Sequence, residues 1–143
     1  MRSKKGFTLI EMLVVIAIIA VLVSIIIPTV TTATIKAEAA VDAANLRSVM
    51  GQLNGVLANS NKMSASQAQN LQAPSSKIYP DAQLLVVYRN PGFIDAYYML
   101  DGQYYGLAYF SEIAQEGSSD ESTDEPRGTG FEWYEAGVGK FEG

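Results

Sequence analysis

"KKGFTLIEMLVVIAIIAVLVSIIIP" runs from Lys4 to Pro28 and decides how the rest of the 143-residue chain is read. Phe7 to Ile27 is a stretch of 21 residues in which Glu11 is the only charged side chain. Wound as an α-helix at about 1.5 Å per residue, it would reach roughly 31 Å and match a hydrocarbon core of about 30 Å. One membrane span is therefore expected. Arg2, Lys4 and Lys5 precede the run and little positive charge follows it closely, so the positive-inside bias places residues 1 to 6 in the cytosol and exports the remainder. Glu11 is the feature such a span does not need.

Two plain readings leave that acid unexplained. A secretory signal peptide has an apolar stretch of only about 7 to 15 residues, ends at a small-x-small cleavage site, and has no use for a carboxylate. A simple single-span anchor fits the length. An unpaired acid in it costs about 2.5 to 3.5 kcal/mol at the bilayer centre and less near the edge, and acids retained in spans are usually functional.

The same stretch resembles the N-terminal signature of type IV pilins and the related pseudopilins, a class III signal. The resemblance covers residues 4 to 28. It implies that a prepilin peptidase cuts between Gly6 and Phe7, that the new amine on Phe7 is N-methylated, and that Glu11 is the assembly glutamate. The leader Met1 to Gly6 is short, and so resembles the type IVa group more than the long-leader type IVb group. Physical chemistry supports each of these roles. Glycine at position 6 presents no side chain to obstruct a protease. Glu11 lies one helical turn from Phe7, in the first turn, where the helix dipole favours an anion. Pairing with a neighbouring subunit's amine at about 4 Å would be worth up to about 4 kcal/mol at an effective dielectric near 20, before desolvation is subtracted. Loss of Arg2, Lys4 and Lys5 with the leader takes the 10 basic residues to 7 against 15 acidic ones, so the mature chain stands near −8.

Composition narrows the function further. The length suits one domain plus at most one extra element. A formal net charge of −5 argues against a specific nucleic-acid partner, because phosphate binding relies on lysine and arginine clusters. Cysteine and histidine are both absent. That removes disulfides, thiolate nucleophiles and the usual zinc ligands. No phosphate-binding loop or dinucleotide glycine pattern is present, so neither an enzyme nor a cofactor is expected. Relatives of the resembled family often close a C-terminal loop with a disulfide. This chain departs from that pattern, which leaves no basis for an adhesive loop carried over from them.

Beyond the apolar run, Pro28 removes the hydrogen bond to the Ser24 carbonyl, and a kink or a short melted stretch is expected between Ser24 and Pro28. Helix is expected to resume over 33 to 58, giving on the order of 78 Å from Phe7 if continuous. Ile35, Ala39, Ala43, Leu46, Met50, Leu53 and Leu57 form an apolar stripe at spacings of three and four. Ala37, Ala40 and Ala44 form a second, small-residue face, either helix-favouring filler or surface for neighbouring helices. Residues 59 to 82 read as a loop, with a Ser64/Gln67 capping box starting a short helix to about Leu71. "QLLVVYR" (83–89), "AYYML" (96–100) and "QYYGLAYF" (103–110) read as antiparallel strands, the last two flanking the hairpin turn Asp101-Gly102. "FEWYE" and "GKFEG" could add one or two more. Tyrosines 88, 97, 98, 104, 105 and 109 fall on both faces of such a sheet, mostly as core or cross-strand pairs, with an adhesive aromatic patch as the minority reading.

The expected fold is thus α+β, a long N-terminal helix, half transmembrane and half packed on a small antiparallel sheet, as in the pilin fold. The expected parts are a leader (1–6), a transmembrane or filament-core helix (7–28) and a globular domain (29–143). "GSSDESTDEPRG" (117–128) reads as a solvated acidic loop; calcium is the alternative, with Asp120, Glu121, Asp124 and Glu125 as candidates, although their spacing is not that of an EF-hand. The function implied by the resemblance is a prepilin held in the cytoplasmic membrane and then polymerised into a surface filament for adhesion, motility or DNA uptake. Its partners would be copies of itself or related pilins, the prepilin peptidase, a membrane assembly platform, and the bilayer before assembly. A pseudopilin of a secretion or competence system is the alternative within that superfamily. A single-span anchored binding domain, with Glu11 incidental, is the alternative outside it.

Overall fold

Helix α1 spans Leu9–Asn59 without interruption in the computed structural model, which describes residues 6–60, 62–90, 92–119 and 131–141. The calcium candidates Asp120, Glu121, Asp124 and Glu125 lie outside the described residues. The chain forms two compact units, Met1–Thr34 and Ile35–Gly143.

In the first unit the apolar side chains of α1 are exposed all round, Leu9 by 85% and Ile16 by 64%. A helix apolar on every side belongs in lipid or in a bundle, not in water. This one is long and apolar enough to cross a membrane. Helical geometry continues through Pro28, so no melted stretch separates it from Ser24. Hydroxyls fold back onto the backbone on both sides of the proline: Ser24 donates to the Val21 carbonyl, Thr29 to Ile26, Thr31 to Ile27, Thr32 to Pro28 and Thr34 to Val30. Satisfied in this way, they extend the low-polarity surface past Pro28, and the next charged side chain after Glu11 is Lys36.

The second unit builds its core on the following turns of α1. Ala39, Asp42, Ala43, Leu46, Val49 and Leu53 are buried there, while Met50 and Leu57 are half-buried. Ile35, placed on the stripe by its spacing, is exposed, whereas Asp42 and Val49, which that stripe omits, are fully buried. The small-residue face of Ala37, Ala40 and Ala44 is exposed.

The opposing layer is a five-stranded antiparallel sheet of β1 (Gln83–Arg89), β2 (Phe93–Leu100), β3 (Gln103–Tyr105), β4 (Glu132–Glu135) and β5 (Gly139–Lys140), in the order β3-β2-β1-β4-β5. Register sorts its faces. Leu84, Val86, Tyr88, Ala96, Tyr98, Tyr105 and Tyr134 join the α1 residues in one core cluster. Leu85, Val87 and Tyr97 occupy the reverse face, where the Trp133 and Tyr104 rings approach to 5.2 Å and both contact Tyr97. Both central strands are thus buried on two sides, which explains why "LLVVY" is continuously apolar. The β2–β3 turn takes positive φ at Asp101 (52°) and Gly102 (78°), as a type I′ hairpin requires.

Residues 107 to 110, expected as strand, are instead the start of helix α3 (Leu107–Glu116). Gly106 ends β3, and Leu107, Phe110, Ile113 then recur every three residues, so that Phe110 and Ile113 turn into the core. Gly117 closes α3 in the left-handed region at φ 87°. Lys36 Nζ donates to the Gln115 carbonyl at 2.8 Å, setting a cation on the negative end of α3. Helix α2 (Ala65–Gln69) lies inside the 59–82 connection and carries the expected capping box between Ser64 and Gln67. The C-terminal hairpin is tied to this region by bonds from Gly137 N to the Ala68 carbonyl at 2.9 Å and from the Tyr134 hydroxyl to Met63 O at 3.2 Å, and to β1 by one from Ala136 N to Leu84 O at 2.9 Å.

Two consequences are measurable on the full chain in detergent micelles. Leu46→Ala or Leu53→Ala is expected to cost about 2–5 kcal/mol in a urea melt, against a few tenths for Ala44→Ser on the exposed face; equal costs would mean that the helix does not pack as described. Burial raises the hydroxyls of Tyr79, Tyr98 and Tyr134 from 10.0 to about 12, helped by the Tyr109 hydroxyl, the Asp42 charge and Glu132 respectively, while a bond with Asn45 partly opposes the shift at Tyr98. Above pH 10 the unfolded chain releases protons that the folded one keeps, so stability holds below that value and falls between about 10 and 12. Melting temperature followed through this window, with tyrosinate absorbance as the monitor, should show the drop.

Candidate functional site: the N-terminal segment

Gly6, Phe7 and Thr8 precede the helix without regular structure, and the Phe7 side chain is 82% exposed. A Cβ added at Gly6 would meet nothing within 4 Å. Among the described residues, none stands close enough to require glycine at that position.

Thr8 and Glu11 form a reciprocal pair. The Thr8 amide donates to Glu11 Oε2 at 3.0 Å, and the Glu11 amide donates to Thr8 Oγ1 at 3.3 Å. This is a capping box, in which two of the amides left unsatisfied at a helix start are answered by side chains. It gives Glu11 a task within its own helix that the sequence reading missed, although the Thr-x-x-Glu pattern before an apolar run is its usual signal. The carboxylate is exposed and sits in the first turn, bonded to the amide of Thr8, the residue after Phe7. Gly6 and Phe7 thus directly precede the cap that Thr8 and Glu11 form. Ser24 and Pro28 lie turns away on the same helix and make no part of this group.

Residues 1–27 match the family described as the prokaryotic N-terminal methylation motif, a match that supports a type IV pilin- or pseudopilin-like class III signal peptide at the head of this apolar helix. Proteins with this motif have structural rather than catalytic tasks, and the apolar helix fits a membrane-anchored member. Neither the curated proteins nor the solved structures give a match to the chain.

Thr8→Ala or Glu11→Ala should weaken the helix start by about 0.5–2 kcal/mol, whereas Glu11→Gln, able to accept the same amide, should keep most of the cap. Amide exchange at residues 8 to 11 in micelles reads this difference. Identical exchange in Glu11→Ala and Glu11→Gln would sink the capping role.

Proposed function

We propose that this chain is the precursor of a fibre subunit, cut between Gly6 and Phe7 by a prepilin peptidase, methylated on the Phe7 amine, held in the cytoplasmic membrane by α1, and then polymerised with copies of itself or related pilins into a type IV pilus. The observation that carries this reading is the placement of Glu11. Its carboxylate, in the first turn of α1, accepts the amide of Thr8, the residue directly after the one that becomes the new N-terminus, within a matched methylation motif. The capping box bears on the assembly step, because the Thr8 amide is not the bond that is cut. The box survives removal of the leader, so Glu11 enters assembly already oriented toward the helix start rather than free to adopt any rotamer. Exchange of the Thr8 amide for a neighbour's charged amine then trades a neutral donor for a charged one, which strengthens the bond. Loosening of α1 between Ser24 and Pro28 on entry to the fibre belongs to the same reading, since the Ser24 carbonyl has no proline N–H to bind. Adhesion, motility and DNA uptake are the tasks such a fibre would serve.

Mass spectrometry of membrane-extracted protein is expected to find a chain that begins at methylated Phe7 when the peptidase is present, and one that keeps residues 1–6 in Gly6→Val. Retention of the leader in the unsubstituted chain would overturn the proposal. Glu11→Ala and Glu11→Gln should both be cleaved and both lose fibres, since the glutamine keeps the cap but not the charge. Normal fibres from Glu11→Gln, scored by electron microscopy of shed material, would reduce Glu11 to a cap.

A further inference from the structure

Asp42 is the one charged side chain in the α1 core face, and it is fully buried. Its carboxylate is enclosed by a single segment of chain. Ser76 Oγ donates to Oδ2 at 2.5 Å, the Lys77 amide to Oδ1 at 2.6 Å, and the Ile78 amide to Oδ2 at 3.1 Å. Ser76, itself 2% exposed, also accepts the Tyr79 amide at 2.9 Å, so three consecutive residues hold the anion and a fourth braces the serine. Three donors on an ionised acceptor make a strong local anchor.

What surrounds this anchor is weak. Among the described residues, no backbone-to-backbone hydrogen bond ties residues 72–78 to a helix or a strand. The other ties are side-chain bonds: the Gln72 amide to Gln52 Oε1 at 3.1 Å, the Tyr98 hydroxyl to the Pro74 carbonyl at 2.7 Å, and the Tyr79 and Tyr109 hydroxyls to each other at 2.6 Å. Little apolar surface is committed either. Gln72, Ala73, Ser75, Lys77 and Pro80 are exposed, and only Ile78 and Tyr79, at the end of the segment, reach the edge of the core, the Tyr79 ring stacked on Tyr105 at 4.5 Å. Segments with few buried apolar contacts and no ladder bonds open before the rest of a domain does.

We propose that residues 72–80 are a strap that opens and closes on α1 as a unit, latched by the Asp42 carboxylate, while the helix–sheet core stays folded. Opening frees the Tyr98 hydroxyl and bares the flank of α1 around Asp42. Asp42 acts here as a positioning residue, and its role does not depend on whether the chain enters a fibre.

Hydrogen exchange on the full chain in micelles tests the idea, with the β1 amides as internal reference. In the unsubstituted chain the Lys77, Ile78 and Tyr79 amides should exchange at least about tenfold faster than those of Val86 and Val87, the signature of opening below the global level. Asp42→Ala should speed the strap further and leave β1 unchanged. Formate, compared with chloride at equal ionic strength, should slow the strap again by filling the vacated cradle. If Asp42→Ala does not fold, Ser76→Ala, which keeps the carboxylate and the two amide bonds, should give a smaller acceleration confined to the strap. The proposal falls if strap and β1 amides exchange together in either variant, if the strap of Asp42→Ala exchanges at the unsubstituted rate, or if formate has no effect.

Discussion

The domain depends on burying one face of α1 between Ala39 and Leu53 against one face of the sheet. Leu46, Val49 and Leu53 are fully buried there, against Val86, Tyr98 and Phe110. An isolated helix has no means of hiding such a stripe, and a small sheet with only its own hairpins is marginal in water, so each layer needs the other. Before Ile35 every described residue of the same helix is exposed. Along a single element the chemistry passes from apolar on every side to apolar on one side, and the change coincides with the division between the two compact units.

Around this hydrophobic contact, polar side chains do a uniform kind of work. They answer backbone groups that helices and loops leave open. Thr8 and Glu11 serve the start of α1, Ser64 and Gln67 the start of α2, and Lys36 the end of α3. Asp42 holds the amides of an irregular segment, and Tyr134 reaches the carbonyl of Met63. No buried side-chain nitrogen or oxygen among the described residues lacks a partner. In a chain with no covalent cross-link, that completeness removes penalties which would otherwise run to about 1–3 kcal/mol per group.

Much of this was legible in the sequence where a pattern had one meaning. Twenty-one residues with a single charge mark a helix long and apolar enough to cross a membrane, and Asp101-Gly102 between β-formers marks a hairpin. The misreadings have specific causes. "GLAYF" carries β-forming aromatics, so local propensity favoured strand; the helix appears only when Leu107, Phe110 and Ile113 are read together, past the glycine. Asp42 escaped the stripe because an acid is normally counted as solvent-facing, and nothing local signals that residues 76 to 79, more than thirty positions later, return to enclose it. The Thr8–Glu11 box was overlooked for a different reason. A carboxylate in an apolar run draws attention to what lies outside the helix, whereas the same pattern in the polar surroundings of Ser64 was read at once as a cap. At the candidate site, the residues came from the resemblance and only their mutual geometry from the structure.

The way the C-terminal hairpin is fastened has a bearing on how the chain can be made. Its ties to Met63, α2 and β1 are hydrogen bonds from Tyr134, Gly137 and Ala136, with no cysteine anywhere in the sequence. Closure therefore waits on no thiol oxidant and no disulfide isomerase, and no mispaired disulfide can trap it. The last strands can seat as fast as the chain finds its register, and the finished domain is indifferent to the reducing power of whatever compartment it meets.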